Sequence, residues 1–224
     1  MLKSIKTKFK DRKFRLKFIS YLLIAATVVL FIYLVFLPFY PGWRYELVQK
    51  KSPAAEQAQD LDAVKQEVSQ AQRGPSKSFP EADYSVSSNR VIIPKIGVNA
   101  PIVESESAEY GLARGAWRLP EGSTPPEGGN TVITGHRFKY LPPNNLTFYL
   151  FHKLETGDIV SVLWEEEEYY YRVSETKIVP KTQVSITDPT QEPRLTLFTC
   201  HPIYSQKERL VVIGEPMAQT TDNR

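Results

Sequence analysis

From Phe18 to Trp43 the chain has no charged side chain, and Tyr21 to Leu37 are almost wholly aliphatic or aromatic. A helix of about 20 such residues crosses the roughly 30 Å hydrocarbon core of a bilayer. A cleaved signal peptide has a shorter apolar region, about 7–15 residues, that ends in small side chains. Here the run is longer and ends in Leu37, Pro38, Phe39 and Tyr40, so residues 18–43 are expected to be an uncleaved transmembrane anchor.

The residues before it set its direction. Eight Lys/Arg side chains stand in the first 17 residues, against Asp11 alone, and the remainder holds 20 basic and 24 acidic residues. The basic charge is therefore local and gives no support to nucleic-acid binding. By the positive-inside rule the tail 1–17 stays cytoplasmic, with Tyr33, Phe39, Tyr40 and Trp43 placed for the outer interface. The expectation is a single-pass membrane protein whose remaining chain lies outside the cytoplasm.

Residues 44–89 are polar, rich in Gln, Ala, Glu and Lys, and punctuated by Pro53, Gly74, Pro75 and Pro80. Ala54 to Gln72 has helix-forming composition, but Leu61, Val64 and Val68 look too few to make a core, so a stalk or linker is expected. From residue 90 to 217 the texture changes to short β-rich runs: Val91–Ile93, Ile96–Val103, Thr131–Thr134, Asp158–Trp164, Tyr169–Val179, Leu195–Cys200 and Glu208–Ile213. β-branched and aromatic residues bounded by Gly, Pro and Asp mark strands, and several at short spacing predict a sandwich or a closed barrel. Gly111 to Arg118 reads as a turn or helix, and Leu146, Leu150 and Leu154, four apart, predict a short helix. Residues 218–224 form a polar tail.

Exported domains use cysteines in pairs, and Cys200 is the only one in the chain. It ends the apolar run Leu195-Thr196-Leu197-Phe198-Thr199, just before Pro202 and the polar loop 204–207. Strand ends opening onto loops are where scaffolds present reactive groups. If Glu208–Ile213 returns as a hairpin centred between Tyr204 and Ser205, Arg209 falls opposite Cys200. Cations beside a thiol favour its nucleophilic thiolate, and an arginine can also donate to a developing oxyanion. Of the three histidines, His201 must point away from Cys200 because strand neighbours alternate, and His152 falls on the polar side of the 146–154 segment. His136 stands at the end of Thr131–Thr134, where Gly135 is expected to permit a sharp turn that aims the imidazole sideways.

Thr134-Gly135-His136, the Thr196–Cys200 segment and Arg209 together resemble the signature of the sortase family. That family's nucleophile motif reads T-L-x-T-C, which Thr196–Cys200 matches at every fixed position. The likeness runs from about Arg90 to Glu215, and it implies a mainly β fold, an eight-stranded barrel with short helices, preceded by the N-terminal transmembrane helix. It implies Cys-His-Arg catalysis: Cys200 attacks the Thr-Gly carbonyl of an LPxTG-like sorting signal on a surface protein or pilin, His136 protonates the departing amine, and Arg209 holds the oxyanion or substrate backbone. The thioester would pass to an amine of a cell-wall precursor or pilin. Thr199 is expected to shape the site or simply to fill the strand. The polar carboxyl end and the lack of an aromatic lid sequence weigh against a pilin-polymerising member.

No cofactor is expected. Glu165–Glu168 could in principle bind Ca²⁺, but consecutive strand residues alternate faces and a solvated acidic turn is the better reading. Two other functions compete with this one. Thiol transpeptidases acting on D-amino acids of peptidoglycan carry Ser-His-Gly-Cys at the nucleophile, where Leu-Phe-Thr-Cys stands here. A membrane-tethered adaptor would bind sorting signals without turnover, and an intact Cys200, His136 and Arg209 count against it.

Overall fold

The computed structural model describes residues 12–37, 39–73, 89–138 and 146–218. Most of the basic tail and of the polar carboxyl tail, and the part of the expected stalk from 74 to 88, lie outside the described residues. The chain forms two compact units, residues 1–40 and residues 41–224.

The first unit holds helix α1, Arg12–Phe36. Its stretch Lys13–Phe36 is long and apolar enough to cross a membrane, and no part of it is buried in protein. A helix apolar on all sides with no protein around it has lipid as its natural solvent.

In the second unit eight strands close into a barrel in the order β1-β2-β3-β4-β7-β8-β6-β5. They are β1 Arg90–Ile93, β2 Val98–Glu104, β3 Ala116–Arg118, β4 Asn130–Thr134, β5 Ile159–Trp164, β6 Glu167–Pro180, β7 Arg194–His201 and β8 Glu208–Pro216. Pairing is antiparallel except at β2–β3 and β4–β7, which run parallel. Alternation sorts each strand's residues: Val91, Ile93, Ile133, Val160, Val162, Leu195, Leu197, Leu210 and Val212 point into the interior. Val179, Val211, Ile213, Ile186 and Phe198 gather on the outer face of β6, β7 and β8.

A second outer face is covered by the segment expected to be a stalk, and here the sequence reading is corrected. Helix α2 (Tyr40–Leu47), the short α3 (Pro53–Glu56) and α4 (Leu61–Arg73) precede the barrel. On α4, Val64 and Val68 are 1% and 0% exposed, packed with Leu61 against Ile92, Ile159 and Tyr170. Three apolar residues suffice because the opposing patch belongs to strands whose other face is already the barrel core. Tyr45 of α2 is buried in the main core cluster, and its neighbour Glu46 pairs with Lys153.

Beneath this clasp lies a buried ion pair. The Lys95 ammonium donates to both carboxylate oxygens of Asp158, at 2.8 and 3.1 Å, and to Glu155 at 2.9 Å, while the Glu155 amide donates to Asp158 at 2.7 Å. Burial pulls the Lys95 pKa down, but its bonds and charge contacts with the two carboxylates outweigh this and raise it. For Asp158 burial dominates and pushes the carboxyl up, against the Lys95 cation and the Glu155 amide. The geometry, with three hydrogen bonds to one carboxylate, supports the ionised pair.

Two further expectations change. The segment 146–154 contains turns and a 3₁₀ turn, Phe151–Lys153, in place of an α-helix. Phe148, Leu150, Phe151 and Leu154 are all buried there, with the two phenyl rings stacked at 4.2 Å. The expected turn or helix near Gly111–Arg118 divides into helix α5, Ala108–Arg114, and strand β3. At the acidic segment, Glu165 and Glu166 form a tight, exposed β5–β6 turn with φ of 50° and 70°.

Candidate active site

The motif Thr196–Cys200 divides its work by strand alternation. Leu197 enters the barrel core and Phe198 joins the outer apolar face. The fully buried Thr196 hydroxyl donates to Asn130 Oδ1 at 2.7 Å, and the Asn130 amide donates to the carbonyls of Ile186 and Asp188 at 3.2 and 2.9 Å. One asparagine on β4 thus ties the motif to the β6–β7 connection that flanks the outer face. Sequence reasoning missed Asn130, whose only signal was a polar residue opening a wholly buried strand.

Thr199, 1% exposed, donates to the Gly135 carbonyl at 2.7 Å. Thr134 Oγ1 donates to the Phe198 carbonyl at 2.9 Å, and the parallel ladder pairs Thr134 with Phe198. Continuing that register by two residues sets His136 beside Cys200. On the other side, β7 and β8 pair Cys200 directly with Arg209. The three sequence-derived candidates therefore stand at the ends of three adjacent strands, β4, β7 and β8, each partly exposed.

Arg209 is held by backbone carbonyls. Its Nη1 donates to Gln206 at 3.2 Å and to Glu208 at 3.0 Å. Such bonds fix the guanidinium at the mouth of the hairpin without neutralising its charge.

Gly135 has a different purpose from the one expected. It is not among the residues with positive φ. A Cβ there would meet the ring of the buried Phe148 at 3.0–3.1 Å. The glycine lets that ring press against the backbone that carries His136, whose carbonyl in turn accepts from the Phe148 amide at 2.9 Å.

His201 pairs with Glu208, one residue beyond the Cys200–Arg209 pair. His152 is solvent-exposed as a residue, but its Nδ1 lies 3.1 Å from Arg137 Nη2. A guanidinium can only donate, so Nδ1 is the acceptor and the ring proton sits on Nε2. Burial, followed by the charges of Arg137 and Lys153, lowers the His152 pKa to about 4. Arg137 was not singled out from sequence, although it directly follows His136. It is 5% exposed, and burial lowers its pKa to about 10. Phe138 then meets Tyr204 edge-on at 5.1 Å and Tyr149 at 5.8 Å, making an aromatic shelf beside the site. Burial raises the pKa of both tyrosines.

A partly exposed thiol flanked by an imidazole and a guanidinium is suited to acyl transfer through a thioester. Comparison with known proteins identifies the family. The family described as "Sortase domain" matches residues 91–217. The chain is 30% identical over 166 residues to Sortase D of Bacillus subtilis, covering 72% of this chain and 78% of that protein. It is 26% identical over 183 residues to Sortase A of Bacillus anthracis, covering 80% and 85%. Among solved structures, Sortase C2 of the group B Streptococcus pilus island 1 superposes with a TM-score of 0.53 at 28% identity, covering 71% of this chain and 99% of that one.

Proposed function

Because the chain belongs to the sortase family, a family of transpeptidases, we propose that it cleaves an LPxTG-like sorting signal at Cys200 and transfers the acyl group to an amine. The observation that carries this reading is the placement of His136, Cys200 and Arg209 at the ends of three neighbouring strands. The thiolate sulfur adds to the threonyl carbonyl, and Arg209 donates to the resulting oxyanion. Collapse breaks the C–N bond, and the His136 imidazolium gives its proton to the departing amine, leaving a thioester and a neutral imidazole. An acceptor amine then attacks the thioester, His136 takes back a proton, and a new amide forms as the thiolate leaves. The acceptor is an amine of a cell-wall precursor or of a pilin subunit. No step calls for a metal or cofactor.

Ile186 and Phe198, the partly exposed members of the outer apolar cluster, suit the apolar residues of such a signal. The basic tail and the aromatic residues at the far end of α1 favour a cytoplasmic amino terminus and a barrel outside the cytoplasm.

The test uses the full chain in detergent micelles with a library of LPxTG-like peptides and an added amine, read by mass spectrometry. The expected result is an acyl-enzyme adduct on Cys200, an amide product, and loss of both in Cys200→Ala. Binding without cleavage would make the protein an adaptor, and turnover surviving Cys200→Ala would remove the nucleophile.

A further inference from the structure

Arg137 is a buried cation with no evident purpose in the fold. Its Nη2 contacts His152 Nδ1, and its Nε and Nη1 are buried without a hydrogen-bond partner among the described residues. No Asp or Glu among those residues forms an ion pair with it, in contrast to Lys95, which meets two carboxylates. A guanidinium taken out of water without a counter-ion is costly, and such groups collect where function uses the charge.

Several groups surround it. Tyr149, from the segment 146–154, and Cys200, at the end of β7, lie within electrostatic reach. Lys153 and His201 act on the same His152 ring that holds Arg137. His136 stands one residue back along the chain, and Arg209 pairs with Cys200 from β8. Tyr149 is a phenol whose pKa burial raises, so it stays neutral near neutral pH. The sulfur of Cys200 is then the group in this neighbourhood whose working form is an anion.

We propose that Arg137 is a second cation of the active site, a positioning residue whose buried charge favours the Cys200 thiolate and the oxyanion formed on attack, held in place by a neutral His152. This rests on the acyl-transfer reading above. It adds a cation on the His136 side of the sulfur to the one that Arg209 supplies from β8.

Because Cys200 is the only cysteine, alkylation of the full chain in micelles reports on this one sulfur. Iodoacetate is an anion and iodoacetamide is neutral, so the ratio of their rates measures the local positive field and not the accessibility of the thiol. In Arg137→Gln, which keeps a donor for His152, the ratio should fall by about tenfold, the low end of what a focused field does to a charged reactant. Arg137→Lys should stay within about twofold of the parent, since it keeps the charge. Turnover of the sorting peptide by Arg137→Gln should fall in kcat with KM little changed. If the glutamine variant does not fold, Arg137→Met fills the same space without charge and should show the same loss. An unchanged ratio in the uncharged variant, or an equal fall in Arg137→Lys, overturns the proposal. If the parent protein fails to cleave any sorting peptide, the acyl-transfer reading falls, while the alkylation ratio still judges Arg137 by itself.

Discussion

The Thr199 hydroxyl donates to the carbonyl of Gly135 at 2.7 Å, which joins the residue before the thiol to the residue before the imidazole. The bond is buried and runs between parallel neighbours, so it fixes the offset of the two strand ends that lead to Cys200 and His136. Thr199→Val keeps shape and β propensity but leaves that carbonyl without its donor, at a cost of about 1–3 kcal/mol. Urea denaturation should show this loss. On the functional reading above, kcat should fall by about tenfold or more while KM holds, because a small misplacement of a reacting group is expensive. Loss of stability with kcat intact would reduce Thr199 to strand filler.

Gly135→Ala tests the other side of the same junction. The added methyl would meet the Phe148 ring at 3.0–3.1 Å, and that ring is fully buried and stacked on Phe151. Overpacking of this kind costs about 1–3 kcal/mol. The expected outcome is a lower thermal midpoint together with slower turnover. Phe148→Leu in the same chain should restore part of both by making room.

The helical segment before the barrel should behave as part of the catalytic unit. Val64→Ala removes two buried methyl groups at an expected cost of about 2 kcal/mol. A chain shortened to begin at residue 41 should retain the parent's denaturation midpoint. One that begins at residue 80 exposes Ile92, Ile159 and Tyr170 and should be less stable and prone to aggregate. Equal stability of the two shortened chains would return the segment to the status of a tether.

The Lys95–Asp158 pair carries an asymmetric prediction. Removing one partner, as in Lys95→Met, strands a buried carboxylate and should cost about 3–5 kcal/mol. Asp158→Asn in the same chain should recover much of that, since a neutral amide needs no counter-ion and its oxygen can still accept from the Glu155 amide. A double-mutant cycle by urea denaturation measures the coupling. Additive losses would mean that the two side chains do not act as a pair.

The barrel was legible in the sequence because its strands are short, β-branched and separated by turn residues. The pairing of Cys200 with Arg209 followed from centring one hairpin on Tyr204 and Ser205, and the structure has that register. What escaped notice depends on tertiary partners. The burial of Val64 and Val68 is decided by Ile92, Ile159 and Tyr170, residues that look like ordinary strand positions until both faces of their strands are known. The Leu146, Leu150, Leu154 spacing suits a helix as well as the turns and 3₁₀ turn that the segment adopts, and spacing alone does not separate the two. Gly135 was read as a backbone device when its lack of a side chain was what mattered. Arg137 was passed over because an arginine in a loop is ordinarily at the surface, and only its burial beside His152 distinguishes it.

The parallel pairing of β4 with β7 has one more consequence. Since main-chain bonds between neighbouring strands set the sulfur's distance from the imidazole, the many residues that connect those strands are released from that duty. On the acyl-transfer reading, connecting loops can lengthen, shorten or change their side chains, and so acquire a new peptide preference, while the thiol and the imidazole keep their spacing. The chemistry and the selectivity of such a barrel are separable parts, free to diverge at different speeds.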